Sequence, residues 1–300
     1  MYDIVIIGAG PAGLTAAIYA RRAAKKVLVL EAKVYGGQIV NTLDIENYPA
    51  EEHISGYDFA TKLYNQAKNL GAEIVFEKVT SIETNGKQKK VITTDKTYEA
   101  GSIIIATGSE NKKLGLPNED QLIGKGVSYC ATCDGAFYKN KKVAVVGGGN
   151  TALEDALYLT DIAEKIYLIH RRDEFRGEES TVSRLKDKKN IQFVLNSNVT
   201  KLNAEDKLES IEITNNDGET KTIKVDGLFV AIGRIPENKA FADLIKLDEA
   251  GYIKANEECH TNIDGIFVAG DNRTKDVRQL VTAVSDGAIA ATEAVKYIGS

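Results

Sequence analysis

Two cysteines spaced as Cys130-Ala131-Thr132-Cys133 stand between two glycine runs, Gly8-Ala9-Gly10-Pro11-Ala12-Gly13 and Gly147-Gly148-Gly149-Asn150-Thr151-Ala152. Thiols at this spacing can close to a disulfide or supply half of a metal site. Structural zinc usually takes four ligands from two such pairs. Here the further candidates are the adjacent Cys259 and His260, and neighbours rarely reach one ion together. The redox reading is therefore the stronger, and no metal is expected. A dithiol that opens and closes needs an electron source, and two phosphate-cradling loops can supply a relay of two cofactors.

The elements that must position these residues are legible around them. Asp3 to Ile7 is a short run of isoleucine and valine, which predicts a buried parallel strand. The glycine turn follows, then a small-residue helix over Ala12 to Ala24 and a second strand over Lys26 to Leu30 that ends in Glu31. An acidic residue about twenty positions past the glycines completes a nucleotide-binding βαβ unit. The pattern recurs with a strand at Val143 to Val146, a helix at Ala152 to Thr160 and a strand at Ile166 to Ile169, so that Gly8 falls on Gly147 and Glu31 on His170.

Ile103-Ile104-Ile105-Ala106-Thr107-Gly108 and Leu228-Phe229-Val230-Ala231-Ile232-Gly233 are apolar strands running into glycine turns. Ile266-Phe267-Val268-Ala269-Gly270-Asp271 is a third, followed by a helix from about Gln279 to Ile298. If each half ends in such a strand, the third belongs with the first half, and the second domain is inserted within it. The expected class is α/β, with two Rossmann-like three-layer domains. One is discontinuous over residues 1–112 and 240–300, and the other spans 113–239, with crossings near Asn111 to Gly126 and Arg234 to Ala240. Glu73 to Glu99 and Ile191 to Val225 read as small β insertions, with turns at Asn85-Gly86 and Asn215 to Gly218.

Composition excludes several classes. With 300 residues, 43% hydrophobic and 27% charged, the chain is an ordinary globular protein with room for two cores. A net charge of -5 argues against nucleic-acid or anionic-membrane partners. The uncharged stretch Ile4 to Ala20 carries its basic residues, Arg21-Arg22, after the apolar run rather than before it, unlike a signal peptide, and it is short and glycine-broken for a membrane span. Three cysteines are too few for a disulfide-stapled secreted scaffold, so the cytoplasm is expected.

The ends of the two second strands differ in charge. Glu31 suits ribose hydroxyls and would repel a 2′-phosphate, whereas His170-Arg171-Arg172-Asp173-Glu174-Phe175-Arg176 offers forked, charge-assisted bonds to one. The second site is thus expected to take NADPH, and the first a flavin, which accepts a hydride and passes electrons to sulfur. Asp271 stands where it could bind ribityl hydroxyls, and the helix start near Arg278-Gln279 could place positive potential beside a reduced flavin.

Taken together, these motifs resemble the low-molecular-weight thioredoxin reductases of the FAD/NAD(P)-dependent pyridine nucleotide-disulfide oxidoreductases. The likeness spans nearly the whole chain. Besides both glycine motifs it rests on Gly36-Gly37-Gln38, Glu46-Asn47-Tyr48-Pro49, Ala106-Thr107-Gly108, Cys130 to Gly135, the three arginines and Gly270-Asp271 with Arg278-Gln279. The resemblance implies a homodimeric flavoprotein that passes electrons from NADPH through FAD and the Cys130/Cys133 pair to oxidised thioredoxin. It implies FAD contacts from Gly8, Gly10, Ala12, Gly13, Glu31, Gly37, Gln38, Asn47, Val79, Ala106, Thr107, Gly108, Gly270, Asp271, Arg278, Gln279 and Leu280. For NADPH it implies Gly147, Gly149, Asn150, Thr151, Ala152, His170, Arg171, Arg172, Arg176, Ile232 and Gly233. Asp134 matches the family's acid/base group, and judged by sequence alone it reads equally as a helix or turn cap.

The chain departs from the family's pattern at Ala50, Asp264-Gly265, Asn272, where valine is frequent, and Arg234 to Asn238, in place of the commoner His-x-Pro-Asn-Thr. Another disulfide partner, another electron donor, or a flavin redox sensor without turnover are the rival readings. Cys259, His260 and His53 read as incidental, and Lys87 to Lys90 and Lys186 to Lys189 as solvated turns. Tyr129 reads equally as a neighbour of the flavin and as core.

Overall fold

The computed structural model describes residues 1–42, 44–86 and 88–299, and the chain divides into two compact units, Met1–Glu110 with Ile235–Ser300 and Asn111–Arg234. The first unit begins with β1 (Tyr2–Ile7), α1 (Pro11–Arg22), β2 (Val27–Glu31), α2 (Gly56–Asn69), β3 (Glu73–Phe76), β4 (Val79–Asn85), β5 (Gln88–Thr93) and β6 (Thr97–Ile105). The crossing strand β7 (Ser109–Asn111) leads to β8 (Val127–Ser128), α3 (Ala131–Asp134), β9 (Lys142–Val146), α4 (Asn150–Leu159), β10 (Lys165–Ile169), α5 (Glu179–Lys186) and β11 (Ile191–Val194). The hairpin layer β12 (Ser197–Ala204), β13 (Leu208–Asn215) and β14 (Thr220–Lys224) precedes β15 (Gly227–Val230). The chain returns through β16 (Arg234–Pro236) to β17 (Ile266–Val268) and α6 (Leu280–Gly299).

Alternation along the strands builds both units in the same way. In the first, β3, β2, β1 and β6 are side by side and parallel, and β17 lies against the C-terminal half of β6. Successive side chains of a strand point to opposite faces. Ile4 and Ile6 accordingly meet Leu14, Ala17 and the small residues of α6 on one side, while Val5 and Ile7 meet Val79, Val91 and Tyr98 on the other. Alanines on α1 and α6, among them Ala16, Ala20, Ala290 and Ala294, allow the two helices to share that face. The second unit orders its parallel strands β11-β10-β9-β15-β8. Val143 and Val145 pack on Leu153 and Ala156 of α4, and Ala144 and Val146 on Val199, Ile211 and Ile223 of the antiparallel layer. No helix among the described residues is long and apolar enough to cross a membrane.

Two expectations need correction. Glu73–Phe76 and Ile191–Val194 are not part of the β insertions; each is a third parallel strand, beside β2 and β10 respectively. Their short length and mixed burial reflect a sheet edge rather than a hairpin. Lys89 is likewise no solvated turn residue. It lies on β5, where inward residues alternate, and is 0% exposed. Its ammonium donates to the Tyr297 hydroxyl at 3.1 Å and sits 4.7 Å from that ring's centroid. Lys87 lies outside the described residues, and Lys90 is exposed as expected.

Candidate functional site

In the first unit the glycine turn is closed by steric necessity. Gly8 has φ +108°, and a Cβ there would stand 2.3 Å from the Ala106 carbonyl oxygen, so the turn passes directly over the end of β6. A Cβ on Gly13 would collide with the Gly8 carbonyl oxygen, which lets α1 start tight against β1. At Gly10 nothing lies within 4 Å of the position a Cβ would take. No side chain caps α1, so its first amides remain for an anion.

Some of the other residues expected at this site lie against that opening. Gly37 packs on it, its Cβ position 3.4 Å from Gly10 Cα, and Gln38 follows, exposed, in a short 3-10 turn. Glu31 is fixed at the end of β2, where its two carboxylate oxygens accept from the Ala9 and Lys33 amides, each at 2.8 Å. Gly270 comes against Ala12, the Asn47 side chain donates to that of Gln279 at 3.3 Å, and Leu280 opens α6. The Arg278 guanidinium stacks 4.2 Å over the Tyr252 ring and donates to the Arg273 carbonyl. Thr107 and Gly108 lead away from β6, and Thr107 is held by Asn272. Val79 turns its side chain into the core, among Ile82, Val91 and Tyr98.

Beneath Gly270-Asp271 lies a group that sequence reasoning missed. Asp286 of α6 is buried and accepts from Gly270 N, from both Nε and a terminal nitrogen of Arg273, and from Lys275 Nζ, all at 2.8 to 3.0 Å. Burial alone would lift the Asp286 carboxyl, but these donors outweigh it and hold it below the usual carboxylate range. The only prior signal was an acid beside glycine and alanine in a helix rich in small residues.

The second unit repeats the turn. Gly147 has φ +155°, and a Cβ there would stand 2.3 Å from the Ala231 carbonyl oxygen, as Gly8 does at Ala106. Gly149, like Gly10, faces open space at the uncapped start of α4, followed by Asn150, Thr151 and the fully buried Ala152. Asn150 Oδ1 accepts from Glu178 N at 2.8 Å, tying the basic loop to the helix start. His170 stacks on Phe175 and roofs the glycine turn: a Cβ on Gly148 would meet its ring. Burial and the Arg176, Arg171 and Arg172 charges push its imidazole below its usual value, so it is neutral at pH 7. Arg171, Arg172 and Arg176 are exposed around it. Ile232 and Gly233 follow β15, where Gly233 O accepts from Lys112 N.

The dithiol lies in the same unit. Cys130 and Cys133 are joined as a disulfide, both partly exposed, at the ends of a single turn whose Cys133 and Asp134 amides donate to the Cys130 carbonyl. Asp134 is half-buried behind it, and desolvation raises its carboxyl while a 2.6 Å bond from Ser128 Oγ opposes the rise. The residue does not cap α3, which has no side-chain cap. Tyr129 belongs to the core side of its two readings: its hydroxyl donates to Glu119 at 2.7 Å, and burial with that carboxylate keeps the phenol protonated. Glu119 also accepts from the Leu114, Gly115 and Leu116 amides, so one buried carboxylate ties the incoming chain to the residue before Cys130.

Asp44, Glu46 and His53 bring three possible metal-ligand atoms within 4.8 Å of one another on an exposed loop, where the His53 ring meets Asp44 at 2.8 Å. The free thiol of Cys259 is fully buried, and burial pushes it up to about 12, which keeps it inert.

Known proteins match over the whole of this arrangement. The sequence pattern of the pyridine nucleotide-disulphide oxidoreductases matches residues 2–287. A thioredoxin reductase of Listeria innocua is 45% identical over 301 residues, covering 99% of this chain and 94% of its own, and one of Bacillus subtilis is 43% identical with 99% and 95% covered. Among solved structures, thioredoxin reductase from Streptococcus pyogenes superposes with a TM-score of 0.96 at 41% identity, covering 100% of this chain and 98% of that one.

Proposed function

Because the chain belongs to the pyridine nucleotide-disulphide oxidoreductase family, we propose that it is a thioredoxin-disulfide reductase, carrying electrons from NADPH through FAD to the Cys130–Cys133 disulfide and on to oxidised thioredoxin. The observation that carries this reading is a disulfide at the surface of a unit with its own glycine turn and basic loop, in a chain with a second, differently charged turn.

The residues present fit both nucleotides. Gly10 and Gly149 leave vacant the space that a Cβ would fill, and each is followed by uncapped helix amides that suit a pyrophosphate. Glu31 retains lone pairs for ribose hydroxyls beyond its two amide bonds. Arg171, Arg172 and Arg176 suit a 2′-phosphate, so the first unit would hold FAD and the second NADPH. When bound, the flavin takes a hydride from reduced nicotinamide and delivers its electron pair to a disulfide.

The chain's own chemistry is then thiol exchange. Two electrons break the Cys130–Cys133 bond and leave two sulfurs that share the protons taken up. The Asp134 carboxyl, whose proton affinity burial raises, donates a proton to one sulfur as the bond opens and removes it when that sulfur must attack. A thiolate of the pair displaces one sulfur of the partner's disulfide; the second cysteine then displaces the partner, which leaves as a dithiol while the Cys130–Cys133 bond re-forms. The same reading makes the protein a cytoplasmic homodimer, by the family likeness and by its sparse cysteines.

The test is anaerobic titration followed by turnover. NADPH should bleach the flavin absorbance at far lower concentration than NADH, and oxidised thioredoxin should be reduced catalytically. Replacing Cys130 or Cys133 by serine should abolish turnover while leaving bound FAD. A colourless protein after supplementation with FAD, or full turnover in either serine variant, contradicts the assignment.

A further inference from the structure

We propose that Ser128 is a positioning residue for Asp134, keeping its carboxyl hydrogen-bonded in both protonation states by switching its own hydroxyl proton between Asp134 and the Cys130 carbonyl. The inference rests on the reading of Asp134 as the proton carrier for the dithiol.

Three contacts converge on one oxygen. Ser128 Oγ lies 2.6 Å from Asp134 Oδ2, 3.3 Å from the Cys130 carbonyl oxygen and 3.1 Å from the Cys130 amide nitrogen, which donates to it. A hydroxyl has one proton to give and two lone pairs to receive. With one lone pair taken by the Cys130 amide, two arrangements remain. When Asp134 is ionised, Ser128 donates to it. When Asp134 is protonated, the carboxyl donates along the same 2.6 Å line to the second lone pair, and the Ser128 proton turns to the Cys130 carbonyl. Ser128 carries one proton in both states, no heavy atom needs to move, and the sole net change is the proton that passes between Asp134 and a sulfur.

The oxygen is held firmly enough for this. Ser128 is 2% exposed and sits on β8, paired in register with Phe229 of β15. A half-buried carboxyl that lost its partner in one of its two states would favour the other state. Burial raises Asp134, and the Ser128 bond opposes that rise. The titratable groups near Asp134 are the two cysteine sulfurs once reduced, Tyr158 of α4 beside Gly135, and Tyr138, whose phenol is pushed up to about 12 by burial, Asp134 and Asp226. The packed helix α4 carries Glu154 and Asp155, and neither enters the balance on Asp134.

The experiment compares holoenzyme bearing Ser128→Ala, Ser128→Thr, Ser128→Val or Asp134→Asn. Bound FAD and thermal melting confirm folding, and the readout is the pH profile of dithiol alkylation by iodoacetamide in the reduced enzyme. Removing Ser128 takes a charge-assisted bond from the ionised carboxylate and a weaker, neutral one from the carboxyl, so on balance it favours the protonated form. Ser128→Ala and Ser128→Val should therefore move the Asp134-dependent inflection to higher pH by about one unit, a roughly tenfold change in proton affinity. Ser128→Thr should stay with the parent, and Asp134→Asn should lack the inflection. Threonine and valine share a shape, so this pair isolates the hydroxyl even if the alanine variant does not fold. An unmoved inflection in Ser128→Val, or one moved equally by threonine, overturns the role of Ser128 alone. An inflection that survives Asp134→Asn overturns the proton-carrier reading as well.

Discussion

Asn238 and Asn272 lie buried against each other, Asn238 Nδ2 donating to the Asn272 carbonyl at 2.8 Å and Asn272 Nδ2 reaching Asn238 Oδ1 at 3.4 Å. Both are positions where the sequence departs from the family's usual residues, and the structure makes the two departures one network. Asn272 also donates to Thr107 Oγ1 and the Ile105 carbonyl, so it braces the exit of β6. Asn272→Val should destabilise the protein by about 1–3 kcal/mol because it strands those acceptors in the core. The double variant with Asn238→Thr should cost less than the sum of the single variants, read from urea midpoints; strict additivity would show that the two positions are independent.

Asp286 is the sole carboxylate bonded to both Arg273 and Lys275 among the described residues, and its removal leaves two buried cations. Asp286→Ala should cost about 3–5 kcal/mol in unfolding free energy. Its folded pKa lies below the unfolded value, so its stabilising contribution is complete above about pH 4 and fades as the pH falls through the folded value. An Asp286→Asn variant should therefore lose its deficit against the parent in strong acid. Melting curves across that range check the sign.

Asp155 has the opposite dependence. Burial raises its carboxyl to about 7, against the pull of Arg234 and with a smaller push from Glu154. The folded protein binds this proton more tightly than the unfolded chain, so stability falls as the pH rises from about 4 through 7. Asp155→Asn should melt above the parent at about pH 8 and converge with it near pH 4. Parallel melting profiles would refute the assignment.

The proposed 2′-phosphate contact of Arg172 and Arg176 can be read from cofactor choice. Each charge-assisted bond to phosphate contributes about 1.5–3 kcal/mol, so Arg172→Ala or Arg176→Ala should raise the KM for NADPH roughly 10- to 100-fold. The KM for NADH should move little, since NADH lacks the 2′-phosphate. Equal losses for both nucleotides would place these arginines outside the discriminating contact.

The parallel strands and both glycine turns were legible because each rests on a local pattern: an apolar run, a glycine, then small residues at the start of a helix. The first-strand boundaries fall within a residue or two of Tyr2–Ile7 and Lys142–Val146. What escaped was buried polarity. Lys89, Glu119, Ser128 and Asp286 are residue types that ordinarily face water, and each is drawn inside by a partner that folding brings to it: Tyr297, the amides at 114–116, Asp134 and Arg273. The Lys89–Tyr297 bond spans 208 positions, and the nearer bonds join loop and strand residues that follow no repeating spacing. The edge strands β3 and β11 were misassigned for a related reason, since four mixed residues carry too little periodicity to tell a parallel edge from a hairpin.

The pairing of β17 with β6 sets an order of assembly on the ribosome. While residues 1–110 emerge, β6 has one flank without its neighbour and α1 lacks the alanine face of α6. Residues 111–234 form a contiguous compact unit and can fold as soon as they are synthesised. The later-made part of the chain can thus be completed first, since the earlier-made part lacks β17 and α6 until they are synthesised.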